Sequence, residues 1–407
     1  MPLLYTDGMP PLFSRLLGNK KSRRLLAIDI GSDSTIRSFL FKEGGGRRIA
    51  LQKRSFALPR SRELSARGLA SLEDGEDSIP YIGRYRHELV GACIRQAGSR
   101  PEEALVGLGG RLAQNKIEAV DVLREREDTP VREEELHVAL STFRQEHCWR
   151  AAGDKRYLLA SVMPLGVTLD GQPLAALTPA RRGRITRVVL FTTYVLEAYG
   201  EMLAELRSHW AGLRLTAISD QAAIAAALIG AVHSHEALLV KVGAKTTEVS
   251  IVDHESVLFA GQFPYGGDAV TLAIARQTGL DRRRSEEIKM RFKHAVLPQE
   301  ATRGVSTAVQ SAVANWVSAL RDLLGASGIT LPERVFLFGG GARLEAIRSA
   351  LASKIWYHDL PSRGAVSVTV LGGEAITGSL FWNREPAIAG PEEVALGALV
   401  YRLASGK

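Results

Sequence analysis

Two short polar turns, far apart in the chain, carry residues whose chemistry suits phosphate binding, and each follows an apolar segment. These residues are Gly31, Ser32 and Ser34 in the first turn, and Gly243, Lys245 and Thr246 in the second. A tight turn between two strands can direct backbone N–H groups and hydroxyls at one point, which suits an anion. The repeated pattern predicts two related half-domains that face each other across a phosphate-binding cleft.

A third glycine turn follows a later apolar segment. Residues 335–338 lead into Gly339, Gly340 and Gly341, and then into Ala342. Glycine, which has no side chain, lets the backbone approach a ligand closely. Three glycine turns after three apolar strands, in this order, predict a nucleotide site more specifically than any one of them alone.

The elements that would position these turns alternate between strands and helices. Apolar runs at 25–30, 213–219 and 239–242 predict strands, whereas 220–229 and 305–324 carry helical patterns. This alternation predicts an α/β architecture, because helices between strands cover the faces of a sheet.

The composition is that of an ordinary globular protein. The chain has 407 residues, of which 45% are hydrophobic and 24% charged, enough for two or more domains with a large core. No run of about 18 to 20 apolar residues is present, so no transmembrane helix is expected. The only cysteines, Cys93 and Cys148, lack metal-type spacing, so we expect reduced thiols and a cytoplasmic location.

The net charge of +8 is concentrated at the N-terminus. Residues 1–24 contain five basic residues and one acidic residue, so they carry half of the net charge, and no nucleic-acid partner is expected. Within this arm, apolar residues at helical spacing precede the basic residues of segment 12–24. Such a segment is a candidate for peripheral contact with the cytoplasmic face of a membrane, with packing on the nearest domain as the alternative.

Several motifs, in their order and spacing, resemble FtsA, the actin-like bacterial cell-division protein, from residue 25 to about residue 404. The matching segments are 106–110, Met163-Pro164, 169–172, 266–271, 285–289 and 393–401. PilM, the actin-like platform protein of type IV pili, is similar in its short basic lead into the first turn. The glycine-rich opening and the Asp-Gly-Gln ending of an inserted region favour FtsA, and sugar kinases lack this insertion.

The resemblance implies a duplicated, actin-like (ribonuclease H-like) α/β fold with an α+β subdomain inserted in the first half. The implied units are an N-terminal arm (1–24), a first half (25–104, 173–212 and 386–407), an inserted subdomain (105–172), and a second half (213–385) with a short subdomain at about 281–308.

The resemblance also implies that ATP lies between the halves, with the two polar turns at its phosphates. The implied cofactor-binding residues are Gly31, Ser32, Ser34, Gly243, Lys245, Thr246, Gly266, Gly267, Glu286, Lys289, Gly340, Gly341 and Ala342. Among these, Gly340 and Gly341 would approach the adenosine and α-phosphate, and Glu286 with Lys289 would hold ribose or adenine. A plain surface ion pair is the alternative for Glu286 and Lys289.

One departure from the family pattern bears on catalysis. The second phosphate turn of FtsA runs approximately DIGGGTTD, whereas Lys241 stands here at the position of the acidic residue that would help to hold Mg²⁺. Asp29 is retained as a carboxylate on the metal side, and Asp220 or Gln221 could orient a water. A lysine can neutralise phosphate charge but cannot position a metal, so we expect ATP binding with slow or absent hydrolysis and an altered Mg²⁺ dependence.

The expected function is that of a scaffold that links the tubulin-like division protein FtsZ to the membrane, together with other divisome proteins. It would self-associate into filaments under nucleotide control. The alternative is a PilM-like cytoplasmic platform for type IV pilus or secretion assembly. A third possibility is a true ATPase or small-molecule kinase, against which Lys241 argues.

Overall fold

The computed structural model describes most of the chain. The described residues are 22–30, 35–57, 90–95, 101–110, 113–152, 155–174, 182–210, 212–232, 235–253, 256–293, 296–383 and 385–406. Almost all of the predicted N-terminal arm lies outside them, and so do Gly31, Ser32 and Ser34 of the first polar turn.

The first half is built on a five-stranded sheet. Its strands are β1 (Arg23–Ile30), β2 (Thr35–Gly44), β3 (Arg47–Ala57), β4 (Glu103–Leu108) and β10 (Arg214–Ser219). They lie in the order β10-β4-β1-β2-β3, with β1, β2 and β3 antiparallel and with β4 parallel to both β1 and β10. Strands β1 and β4 are almost continuously apolar because both of their faces are covered.

The second half repeats this topology. Its strands are β11 (Glu236–Val242), β12 (Thr247–Asp253), β13 (Ser256–Phe263), β14 (Arg334–Phe338) and β15 (Ser367–Val370). The order β13-β12-β11-β14-β15 has the same pattern, with an antiparallel meander followed by two parallel neighbours. The predicted duplication is therefore confirmed, and the two glycine turns follow the equivalent strands β1 and β11.

Two helices lie between the sheets. They are α3 (Asp220–Ala231) and α9 (Val394–Ser405), and they share one core with apolar residues of both sheets, such as Leu25 and Leu239. The alanines of α3 allow close packing, since small side chains bring helix backbones together. This shared core joins the halves, so that the ends of β1, β10 and β11 meet at one cleft.

The outer faces of the sheets are covered by further helices. These are α2 (Glu197–His209) on the first sheet, and α4 (Gly267–Thr278), α5 (Arg282–Lys293), α6 (Gln299–Ser327) and α7 (Glu345–Ala352) in the second half, with a single turn α8 (Glu374–Thr377) near α9. Residues 281–308, for which a short subdomain is predicted, contain helix α5 and the first turns of the long helix α6. None of the helices in the described part of the chain is long and apolar enough to cross a membrane.

The inserted unit, in the residues that the structure describes, is a five-stranded antiparallel sheet with one helix, in which the short β8 pairs only with β7. Its elements are β5 (Ala113–Leu123), α1 (Glu133–Glu146), β6 (Trp149–Ala152), β7 (Lys155–Leu169), the two-residue β8 (Gln172–Pro173) and β9 (Ile185–Leu196), with the sheet order β5-β9-β7-β6. The α+β character of the insertion agrees with the prediction.

The predicted domain boundaries differ from the observed ones at three points. Residues 105–108 belong to β4 in the first sheet, β9 extends the inserted unit to Leu196, and β10 pairs in the first sheet although we expected the second half from residue 213. The reason is common to all three. A buried strand has the same apolar sequence pattern whichever sheet it belongs to, so only its hydrogen-bonded neighbour shows which sheet that is.

Candidate functional site

A cluster of buried charged residues occupies the cleft between the halves. Lys241, near the end of β11, contacts the carboxylate of Asp220, the first residue of α3, and its Nζ lies 3.2 Å from Glu248 Oε2. The side chains of Lys241, Asp220 and Glu248 are 11%, 0% and 3% exposed, respectively. One ammonium is therefore held by two carboxylates, one from each half of the molecule.

Backbone groups of the first half complete this cluster. The N–H of Gly110 donates a hydrogen bond to Glu248 Oε1 across the cleft. At Gly109 a Cβ would lie 2.7 Å from Lys241 Nζ, closer than real Cβ atoms approach such a group. A larger residue at position 109 would therefore displace the charged side chains of Asp220 and Lys241 that pack against the end of β4.

Asp29 is the third carboxylate of the cleft. It is buried near the end of β1, and its Oδ2 lies 3.6 Å from the guanidinium of Arg37, its cross-strand neighbour on β2. Arg37 therefore compensates part of its charge. The structure brings Asp29 and Asp220 to the same cleft, as predicted, but it surrounds them with cations of the protein itself.

The pKa shifts follow from this arrangement. Burial alone would lower the pKa of Lys241, yet the surrounding carboxylates outweigh burial and raise it above its ordinary value. The contributing carboxylates are those of Asp220, Glu248 and Asp29. For Glu248, burial raises the pKa, and the attraction of Lys241 opposes this shift. The ammonium of Lys241 is therefore a permanent charge at neutral pH.

Gln221, predicted to orient a water, is used to join elements. Its Nε2 donates to the carbonyls of Val249 (2.7 Å) and Gly261 (3.3 Å), and its Oε1 accepts from Asn115 Nδ2 at 2.7 Å. The side chain thus links α3, the inserted unit and the second sheet. This is a different use of the amide from the predicted one.

The second polar turn is closed on itself and on helix α4. The N–H of Gly243 donates to the carbonyl of Thr246 at 2.9 Å, and that of Gly267 donates to the carbonyl of Gly243 at 2.9 Å. The N–H of Asp268 donates to the carbonyl of Ala244 at 2.7 Å, so the turn, which includes Lys245, lies on the first amides of α4, with Gly266 at the N-cap of that helix. The predicted residues are brought together, but the amides of Gly243 and Gly267 bind carbonyls of the protein.

Glu286 and Lys289 form an ion pair that is buried at Lys289 and half-exposed at Glu286. Lys289 Nζ donates to the Gly267 carbonyl (3.1 Å) and to Thr271 Oγ1 (2.9 Å), and it lies 2.7 Å from Glu286 Oε2. Burial acts to raise the pKa of Glu286, but Lys289 and its other partners lower it overall. This network fixes α5 against the beginning of α4, and the predicted contact with ribose or adenine stays a prediction.

The third glycine turn presents one open position. Gly339 has φ of 88°, which favours glycine, and its N–H donates to the Pro391 carbonyl at 2.8 Å. Gly341 and Ala342 are buried, whereas a Cβ at Gly340 would meet nothing within 4 Å. Of these residues, Gly340 alone faces open space, so it is the position at which a ligand could approach the backbone.

The residues present do not fit a Mg²⁺ ion. Magnesium requires octahedral oxygen ligands and keeps several waters, whereas a lysine ammonium lies between the carboxylates here. A cavity of about 10 Å³ adjoins Lys241, Gln221 and Glu248, which is room for about one water. Among the described residues, no group of three or more His, Cys, Asp or Glu side chains could hold a metal ion.

The sequence interpretation missed Glu248, Gly109 and Gly110 as members of the site. Glu248 carried a usable signal. In a hairpin that turns through 243–246, Lys241 and Glu248 are directly opposite each other, and opposite charges at such positions attract. The two glycines carried no such signal, because their role depends on how β4 lies against the second half.

Comparisons with known proteins identify the fold. The family model described as "Type IV pilus assembly protein PilM" matches residues 216–359. Among solved structures, a "PilM-PilN type IV pilus biogenesis complex" aligns with 92% of this chain and 97% of that chain, at 18% identity and a TM-score of 0.59. The ethanolamine utilization protein EutJ from Carboxydothermus hydrogenoformans aligns with 94% of this chain and 90% of that chain, at 14% identity and a TM-score of 0.45.

No curated protein matches the chain in sequence. The family that the comparisons name is PilM, the second of the two resemblances, and the preference for FtsA is not supported. The duplicated sheets, the inserted unit and the alignment along nearly the whole chain show that this protein has the actin-like ATPase fold, and the PilM family model matches residues 216–359 of it.

Proposed function

We propose that this protein is a PilM-like cytoplasmic platform that binds the cytoplasmic segment of an inner-membrane protein in type IV pilus or secretion assembly. The observation that carries the proposal is the alignment with the protein of the PilM-PilN complex, which covers 92% of this chain and 97% of that chain. The PilM family model on residues 216–359 supports it independently from the sequence.

The chemistry of the cleft supports a scaffold rather than a motor. Phosphoryl transfer depends on a metal ion and on donors aimed at the phosphates. Here Lys241, Gln221 and the amide of Gly243 bind groups of the protein. A protein that uses these groups to join its halves is suited to presenting a constant surface to a partner.

The partner can be tested directly. We would titrate the full-length protein by calorimetry with the cytoplasmic tail of the PilN-like membrane protein from the same genome, and with the C-terminal peptide of FtsZ. The proposal expects saturable binding of the first peptide alone. Binding of the FtsZ peptide alone would instead support a division scaffold and contradict the proposal.

We also propose that ATP enters the cleft at Gly340 and binds without Mg²⁺. The open space at this position predicts that Gly340→Asp folds normally but places a negative side chain where the nucleotide would lie. Gly304→Asp is a matched control, since a Cβ there also meets nothing within 4 Å, on helix α6. A fluorescent ATP analogue should bind the control and not Gly340→Asp, with or without Mg²⁺, and equal binding to both variants would contradict the assignment.

A further inference from the structure

The cleft contains more negative charge than a protein interior ordinarily keeps, and the protein supplies the compensating cation itself. Asp220 and Glu248 are 0% and 3% exposed, and the Lys241 ammonium touches both. The guanidinium of Arg37 lies 3.6 Å from Asp29 Oδ2 and compensates part of the charge of that carboxylate. Buried carboxylates without a counter-ion are strongly unfavourable in their ionised form, so the cation at the position of the Lys241 Nζ stabilises this cluster.

The same contacts connect the two halves. Lys241 lies on the second sheet and Asp220 directly follows β10 of the first. Glu248 lies on the second sheet and accepts from the N–H of Gly110, which follows β4 of the first. Gln221 adds a third connection, to the carbonyl of Val249 at 2.7 Å. Each of these polar contacts would be lost if the halves moved apart.

We propose that Lys241 is a built-in cation that replaces a divalent metal among the cleft carboxylates and holds the two halves closed. A tethered ammonium is present at a fixed, high effective concentration, unlike an ion that binds from solution. Closure of the cleft therefore needs neither Mg²⁺ nor a ligand. This inference rests neither on the proposed partner nor on nucleotide binding, so it can be true even if both of those proposals fail.

The proposal predicts that a metal site is gained when the lysine is lost. In Lys241→Ala the two carboxylates of Asp220 and Glu248 face the space that the long side chain has vacated, and waters would supply the remaining ligands of an ion there. Oxygen ligands of this kind suit Mg²⁺ and Ca²⁺. The variant should be less stable than the wild type, and either ion should restore part of that stability, because a ligand that binds the native state stabilises it.

A matched control separates this effect from the loss of any buried lysine. Lys289 is 8% exposed and also binds a carboxylate, but Glu286 is the one carboxylate that contacts it within the described chain. Lys289→Ala should therefore lose stability without gaining a response to divalent ions.

The experiment is thermal unfolding of the full-length wild type, Lys241→Ala and Lys289→Ala in EDTA, in MgCl₂ and in CaCl₂, at matched ionic strength. We expect a rise in the melting temperature by several degrees with metal in Lys241→Ala alone, together with calorimetric binding of one ion per chain. A variant at position 241 that is as stable as the wild type, or that ignores both ions, would overturn the proposal.

The wild-type protein provides a test that needs no variant. Mn²⁺ reports binding by its electron paramagnetic resonance signal and takes similar oxygen ligands. We expect that the wild type does not bind Mn²⁺. If the wild type instead binds one Mn²⁺ per chain and Asp220→Asn abolishes this binding, then a metal ion and Lys241 occupy the cleft together. That result would contradict the proposal that the lysine replaces the metal. This arm decides the question even if Lys241→Ala fails to fold.

Discussion

The contact between Asp220 and Lys241 should couple the two residues strongly, and a double-mutant cycle can measure the coupling. The perturbations are Asp220→Asn, which keeps the shape and removes the charge, and Lys241→Met, which keeps the length of an unbranched side chain. Both residues are almost fully buried, so water cannot replace a lost partner.

The magnitude follows from the contacts. Removing one partner of a buried pair costs about 3–5 kcal/mol, because the other charge stays buried and unpaired. Asp220→Asn should fall at the lower end, since Lys241 Nζ retains Glu248 at 3.2 Å. Lys241→Met should fall at the upper end, because it leaves two carboxylates without their cation. The double variant leaves one fewer uncompensated charge, so its cost should be smaller than the sum of the single costs by about 2–3 kcal/mol.

The assay is urea-induced unfolding in EDTA, followed by fluorescence and circular dichroism, for the wild type and the three variants. The matched control is the more exposed pair of Arg343 and Glu392, whose side chains are 41% and 30% exposed. The cycle of Arg343→Met and Glu392→Gln should give a coupling below about 1 kcal/mol. Additive costs at Asp220 and Lys241, or equal coupling in the two cycles, would refute the reasoning that the cleft pair is a desolvated, mutually dependent unit.

Three further predictions concern the inserted unit and the second core. Arg124→Met should destabilise the inserted unit by about 3–5 kcal/mol, because this guanidinium, 1% exposed, binds Glu135 and three backbone carbonyls; hydrogen exchange should rise across 113–196 and stay unchanged in the second half. The hydrogen bond from Arg124 lowers the pKa of Glu135 in the folded protein below its ordinary value of 4.5. The ionised Glu135 carboxylate therefore stabilises the fold fully above pH 4.5, and this stabilisation is lost as the pH falls through the lower pKa of the folded state. Acid unfolding of Glu135→Gln should accordingly be less pH-dependent than that of the wild type, and an identical pH profile would contradict this. Trp316→Phe removes the 2.7 Å hydrogen bond from Nε1 to Thr247 Oγ1 and should cost about 1–3 kcal/mol in urea unfolding, while Trp382→Phe, at a position 71% exposed, should cost little.

Much of the fold could be predicted because its signals are local. The apolar strands before Gly31 and Gly243, the helical pattern over 305–324 and the alternation of strands and helices depend on neighbouring residues, and the structure confirms them. The preference for FtsA over PilM is not supported. Short glycine motifs occur throughout actin-like proteins, whereas the PilM-PilN structure aligns with 92% of the chain and the PilM family model matches residues 216–359.

The duplicated α/β architecture, the positions of the three glycine turns and the lysine in place of an acidic residue can all be read from the amino-acid sequence. The role of that lysine cannot, because it depends on how the chain folds. Its partners, Asp220, Glu248 and the end of β4, come from segments that are distant along the chain and meet when the two sheets close on their shared helices. The strength of a charge–charge interaction depends on whether water is excluded from it, and only these tertiary contacts exclude water from the Lys241 ammonium. The role of this lysine therefore follows from the packing around it rather than from its residue type.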